Sequence, residues 1–366
     1  MKRASLAGLV AAGAVVFATA GVAAQSPDAS TAPRLKIGFV IHVKGNSNNQ
    51  LVVAAAQKAA DELGVDLLTA GPEGFDAEAQ LKNVQDLFAA GAQGVATSIP
   101  GETMAAPLNQ LIADGHPIVM FNIYSSNINA PYVGENPIPA WSQIGALVST
   151  AAGGAGATGE VVLGTCAPQL DVLIQRGNGV VKGLADTAPG LTASGPFDVK
   201  VDPVVNYQAW QQLAAAHPDA KAFVGLCAPD PENLGKVNAE NGDKWIMAGG
   251  DFTPGNIQAV ADGHVLASIG QASYVQGYLP VKMLVDHIRN GAPLNPGVLS
   301  SGVEMLTKDG AVFDYGLPPQ TVEDANAIFS DQAKSDAFYA PLFADGGPMD
   351  SQNWPSLIVP FAELGQ

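Results

Sequence analysis

Three apolar runs in the second half of the chain each stop at a group able to touch a ligand: residues 221–227 at Cys227, 245–250 before Asp251 and 265–270 before Gln271. A carboxylate and a carboxamide placed this way offer acceptors and donors to hydroxyl groups, which is recognition chemistry. No bond-making constellation accompanies them. The five histidines (42, 116, 217, 264 and 287) show neither HExxH nor Cys/His ligand spacing, so no metal or other cofactor is expected, and there is no Gly-x-Ser-x-Gly elbow. His42 ends the first apolar run and serves either as a cleft group or as an ordinary structural histidine. Arg176 falls inside a helical segment, where a solvent-facing arginine is the ordinary outcome; it gains interest only with a partner such as Asp251. Asp230-Pro231-Glu232 reads as a helix start, with Asp230 as the cap, proline in the first turn and an acid behind it. Cys166 and Cys227 each follow an apolar run, and a disulfide, an inert buried pair and a lone thiol nucleophile all stay open.

Asp251 and Gln271 share a site only if the runs before them lie parallel in one sheet. The segments between the runs are helix-like, which makes the pattern strand–helix–strand–helix–strand. Parallel strands joined by crossover helices present their C-terminal ends to one crevice. The same unit recurs upstream. Strands are expected at 35–43, 65–69, 94–99 and 117–121, with helices at 50–63, 77–90 and 103–114 between and after them. A short strand and turn follow at 131–136, and the pattern restarts with helices at 141–152, 170–185 and 206–216 around strands at 160–164 and 197–201. Beyond Gln271 comes a helix over 274–290 and a strand over 302–307; the last 50 or so residues, rich in Pro, Gly, Asp and Phe, have no clear pattern. Residues 154–159, Gly-Ala-Gly-Ala-Thr-Gly, match the dinucleotide fingerprint literally, but they follow a helix and precede a strand, the reverse of the phosphate-binding context. They are expected to be a plain connection.

With 366 residues, 47% of them hydrophobic, the chain has room for two well-filled domains. Residues 1–24 combine a basic start, an apolar stretch and small residues ending in Val22-Ala23-Ala24, the form of a cleavable export leader, and 25–34 read as a linker. No cysteine stands near that cleavage site for a lipid anchor, so a freely soluble protein of a periplasm is expected. Without Lys2 and Arg3, 15 basic residues face 34 acidic ones. That balance repels nucleic acid and anionic membranes.

Residues 37–63, 79–90, Ile99-Pro100, 117–122, the run Tyr132-Val133-Gly134-Glu135-Asn136, Gln175-Arg176-Gly177, 230–235, Gly250-Asp251 and 268–271 together resemble periplasmic sugar-binding proteins of the ribose-binding type, over roughly 35–307. The resemblance implies an α/β fold of two Rossmann-like (flavodoxin-like) lobes with parallel sheets, joined by a three-crossover hinge. The lobes would comprise 35–134 plus 272–300 and 135–271 plus 301–316, with 317–366 an extension of unclear role. It further implies a non-enzymatic, monomeric receptor that closes on a small polyhydroxylated ligand and delivers it to an ABC permease; a sensory receptor serving a membrane sensor would share this fold. A repressor built on the same core would need a basic helix-turn-helix where the leader-like residues stand.

By the same resemblance Asn46, Arg176, Asp251 and Gln271 fall on the ligand-binding positions. Asn48 and Asn49 stand where the family has sugar-stacking aromatics, Asn122-Ile123 replaces an Asp-Arg pair, and Pro229 replaces an asparagine. An aromatic wall would then have to come from Tyr124, Trp141, Tyr207 or Trp210. A flavodoxin-like strand order 2-1-3-4-5 makes the strands before Cys166 and Cys227 neighbours and so implies a disulfide between them.

Overall fold

The computed structural model describes Met1 and residues 34–45 and 47–364. The expected leader and nearly all of the linker, and Asn46, lie outside the described residues. In chain order the elements are β1 (Lys36–Val40), α1 (Ser47–Glu62), β2 (Asp66–Ala70), α2 (Ala77–Ala89), β3 (Gly94–Thr97), α3 (Ala105–Ala113), β4 (Ile118–Phe121) and β5 (Pro131–Gly134). Next come α4 (Pro137–Ala151), β6 (Gly159–Thr165), α5 (Asp171–Thr187), β7 (Leu191–Asp198), α6 (Pro203–Ala216), β8 (Ala222–Gly225), α7 (Asp230–Glu240), β9 (Ile246–Gly250), α8 (Pro254–Ala261) and β10 (Ala267–Gly270). The chain ends with α9 (Ser273–Asn290), β11 (Gly297–Ser300), β12 (Glu304–Thr307), β13 (Gly310–Phe313), α10 (Val322–Ser330) and α11 (Gln332–Phe343).

These strands make two sheets, ordered β11-β5-β4-β3-β1-β2 and β13-β12-β10-β9-β8-β6-β7. Every pairing in the first is parallel. In the second, β7-β6-β8-β9-β10 is parallel and β12 and β13 add antiparallel. The uniformly buried strands β3, β4, β8 and β10 explain their continuous apolar runs, because helices cover both faces. The result is a two-lobe α/β fold. The chain passes between the sheets after β5, after β10 and after β11, three times in all. α9 belongs with the first sheet, packed against α1, β3 and β4 and buried from Ser273 to Asp286. α4 and α5 approach very closely: a Cβ on Gly183 would sit 2.1 Å from the Ser142 carbonyl, so only glycine fits there.

Several expectations are corrected. The strand expected at 197–201 is β7, displaced upstream; it is an exposed edge strand with little apolar content, and the buried Val199 lies in the loop behind it. The helix expected from 141 starts at Pro137, since prolines in a first turn forfeit no helical hydrogen bond. Asp230 is not a cap. The cap position is Pro229, and the Asp230 carboxylate turns inward, accepting from the Cys227 amide (2.7 Å), Asn206 Nδ2 (2.7 Å) and Trp210 Nε1 (2.9 Å). Residues 154–156 form a short 3-10 turn between α4 and β6, a connection as read.

The final segment fastens to both lobes. Ala325 and Phe329 of α10 join the core beneath α8, where Phe329 meets Phe252 at 5.1 Å. α11 lies on α1 and α9, and Tyr339, Leu342, Met349 and Trp354 complete that core. Trp354 Nε1 donates to Asp286 Oδ2 at 3.0 Å, Tyr339 donates to Glu304 at the start of β12, and Val359 bridges to Val298 on the sheet edge. No helix among the described residues is long and apolar enough to cross a membrane.

Candidate functional site

The C-terminal ends of β4, β9 and β10 carry Asn122, Asp251 and Gln271, drawn from both sheets. Asn122 and Asp251 have left-handed backbones, φ 60° and 72°, as does Ala272 at φ 47°. Asn and Asp visit this region at modest cost, whereas alanine does so only when the surroundings impose it. Three such residues thus lie close to the strand ends beside the cleft, held there by the surrounding packing. Asn122 Nδ2 donates to Gln271 Oε1 (3.1 Å) and Gln276 Oε1 (3.0 Å), and Gln271 Nε2 donates to Asp251 Oδ1 (2.7 Å). Gln276 Nε2 and the Ser301 hydroxyl both donate to the Gln271 carbonyl, each at 2.7 Å, tying the second and third crossovers together. Ser273 Oγ donates to Asn48 Oδ1 at 2.5 Å.

Arg176, far from being solvent-facing, is 4% exposed. Its Nε donates to Glu135 Oε1 at 2.5 Å, its Nη1 to the Leu226 carbonyl at 2.7 Å, and its guanidinium lies 5.1 Å above the Trp141 ring. Trp141 Nε1 in turn donates to Glu135 Oε2 at 3.2 Å. Burial raises the Glu135 and Asp251 carboxyls above the usual range, with the Arg176 charge pulling each back down. The guanidinium is therefore held by Glu135, the Leu226 carbonyl and the Trp141 ring together.

These groups line a cavity between the lobes enclosing about 470 Å³, space open to solvent included. Asn48, Asn122, Arg176, Asp251 and Gln271 all contribute. Asn49 does not: its amide donates to the Val43 carbonyl at 2.7 Å and holds the loop before α1. Nor does Tyr124, which packs on Tyr132 and Phe361 and exchanges hydrogen bonds with Gln175. Trp141 supports Arg176, Trp210 serves Asp230, and Tyr207 reaches Glu240 on the outer surface, so none of the three forms a wall. Asn46 lies outside the described residues.

The aromatic face comes instead from Phe75, stacked on His42 with ring centroids 5.3 Å apart. His42 accordingly lines the cavity, its Nδ1 3.3 Å from Ser98 Oγ, and burial lowers its pKa to about 4, leaving the ring neutral. The opposite wall is Leu170, Val172, Leu173 and the joined Cys166 and Cys227, whose Cα atoms are 6.1 Å apart across the adjacent strands β6 and β8. Beyond Val201, Ala228 and Pro229 a second, wider chamber opens toward Glu73, Asp202 and Glu232.

A family model described as a periplasmic binding protein domain matches residues 37–292. The chain belongs to the periplasmic binding protein family. Its membership brings an extracytoplasmic address with it. Among curated relatives, the family includes a xylose/arabinose-binding protein from Sulfolobus acidocaldarius, 22% identical over 308 residues, 75% of this chain and 71% of that one. Among solved structures, an ABC transporter solute-binding protein from Burkholderia graminis in complex with D-arabinose superposes with a TM-score of 0.69 at 22% identity, covering 76% of this chain and 96% of that one. A glucose-galactose binding protein from Geobacillus stearothermophilus gives 0.68 at 23% identity, with 76% and 98% covered. The two solved structures are thus matched almost whole, while about a quarter of this chain falls outside each superposition.

Sequence reasoning had no means of assigning Glu135 or Phe75 a role. Glu135 sits just past β5 at the first crossover, where a buried acid behind a strand is a visible but ambiguous signal. Phe75 stands in the loop after β2, next to the Asp76 that caps α2, and only the lobe arrangement turns it toward the cleft.

Proposed function

We propose that the protein is an exported solute receptor that binds a sugar, polyol or related polyhydroxylated molecule between its lobes and presents it to an ABC permease. The observation that carries this reading is the convergence of Asn122, Arg176, Asp251 and Gln271, from both sheets, on one inter-lobe cavity. Amides and a carboxylate–guanidinium set match the paired donor and acceptor character of hydroxyls, and a ligand that leaves one of them unpaired is rejected. The relatives described as sugar-binding ABC components support the importer over the sensory reading. In this reading 35–134 plus 272–300 and 135–271 plus 301–316 move as two bodies about the crossovers, closing on the ligand. Residues 1–24 are a cleaved leader and the mature protein is a soluble periplasmic monomer that performs no chemistry.

Thermal-shift screening of the purified mature protein against pentoses, hexoses, polyols, sugar acids and cyclitols tests the proposal. Saturating a site at 100 times its Kd adds about 2.7 kcal/mol of stability, a readily measured shift. Absence of any shift across the panel at millimolar concentrations would reject it.

A further inference from the structure

Among the described residues the cavity lining is uneven: polar groups stand at the hinge and beside Phe75, and one wall is apolar. Asn122, Gln271, Asp251 and Arg176 are bound to one another or to the crossovers, so the hydrogen-bonding groups gather at the hinge. Among the described residues, the side-chain atoms outside these contacts are Arg176 Nη2, the second oxygen of Asp251, the Asn122 side-chain oxygen and the second ring nitrogen of His42. Across from Phe75 and His42 the wall is Leu170, Val172, Leu173 and the Cys166–Cys227 bridge, and the backbone there has little to offer. The Leu226 carbonyl accepts from Arg176, the Cys227 amide donates to Asp230 while its carbonyl accepts from the Asp230 amide, the Ala228 carbonyl accepts from Asn256, and the Cys166 amide points at Cys227 Sγ. His42 stays neutral and already engages Ser98 with one nitrogen.

From this asymmetry we infer that the ligand is a sugar with a hydrocarbon flank, a deoxy sugar or an O-alkylated sugar, held by its hydroxyls at the hinge with the apolar edge against Leu170, Val172 and Leu173. The inference rests on the sugar-binding reading and narrows it. Among the described residues, a hydroxyl buried against the leucine wall meets no side-chain partner, which costs roughly a factor of 10 to 100 in affinity. A methyl or methoxy group in the same place is instead removed from water against carbon and sulfur.

Matched pairs decide it. Calorimetric titration of the mature protein compares D-fucose with D-galactose, L-rhamnose with L-mannose, and methyl β-D-xyloside with D-xylose. In the pairs that bind, the deoxy or methylated member is expected to bind at least about ten-fold tighter. Leu173→Asn, which places an amide on the wall, should shrink or invert that ratio; Phe75→Ser, at a half-buried position, gives the same reading if the Leu173 variant does not fold. Equal or tighter binding of the fully hydroxylated members overturns the inference and leaves sugar binding intact. Failure of every member of every pair, together with a blank general screen, overturns the sugar-binding reading itself.

Discussion

Replacing Glu304 with glutamine should remove part of the pH dependence of folding. Glu304 is 2% exposed, beside a Gly270 whose position leaves no room for a Cβ, since one would sit 2.3 Å from the carboxylate. Desolvation raises its pKa from 4.5 to about 7, against the lowering effect of hydrogen bonds from Tyr339 and the Ala272 amide, while Asp251 and Asp314 push it further up. Below pH 4.5 both folded and unfolded chains hold the proton and no penalty exists. Between 4.5 and about 7 the unfolded chain releases it first, so stability falls as pH rises; above about 7 the loss is complete. At about 1.4 kcal/mol per tenfold change, the interval amounts to about 3 kcal/mol. Glutamine keeps an acceptor for Tyr339 and is neutral throughout. Denaturant unfolding of wild type and Glu304→Gln at pH 4, 6 and 8 gives the difference between the two stabilities at each pH, in which contributions from His42, Asp230 and the Arg176 cluster cancel. The variant should gain about 3 kcal/mol on wild type between the acid and alkaline ends. Parallel curves would show a carboxyl with no shift between folded and unfolded chains, and a variant that loses ground as pH rises would show a stabilised carboxylate; either refutes the reasoning.

Arg176→Met should abolish ligand binding and also destabilise the fold by about 3–5 kcal/mol, because Glu135 is left buried and unpaired; Arg176→Met with Glu135→Leu should recover most of the stability and none of the binding, measured by unfolding and titration. Asp251→Asn should weaken binding at least about ten-fold with little change in midpoint, since its amide still meets Gln271. Reducing the Cys166–Cys227 bridge, which closes a loop of 61 residues in separation, should cost about 4 kcal/mol on the chain-entropy estimate and loosen the cavity wall; an unchanged midpoint in reductant would contradict it. Deleting residues 317–366 strips Tyr339, Leu342, Met349 and Trp354 from the core around α1 and α9, and should leave a protein that unfolds at least 10 °C lower or aggregates, read by circular dichroism and light scattering.

Local pattern was enough to place the strand–helix alternation, the parallel sheets, and Asp251 and Gln271 at strand ends, because buried parallel strands must be continuously apolar and must stop where the chain turns. The bounds of the edge strand β7 were misplaced because an exposed strand has no such run, and β11 and β13 were not read as strands. Arg176 shows the boundary most plainly. Helical position alone made it a surface residue, and its burial depends on Glu135 from the first crossover, the Leu226 carbonyl from the loop after β8 and the Trp141 ring beneath it. Asn49 and Tyr124 show the converse, residues of suitable type that bond to the Val43 carbonyl and to Gln175 instead of lining the cavity.

What the sequence determined by itself is therefore the repeated unit and the direction in which its polar strand ends point, since both follow from periodicity within a few residues. What the tertiary structure alone decided is which side chains from distant units face one another: the clamp on Arg176, the hinge network around Gln271, the Phe75–His42 face opposite Leu173, and the fastening of 317–366 across both lobes. The contacts Phe75–His42, Asn122–Gln271, Arg176–Glu135 and Tyr339–Glu304 among these each join segments 30 or more residues apart, where burial and partner choice depend on the whole packing and no local pattern records them.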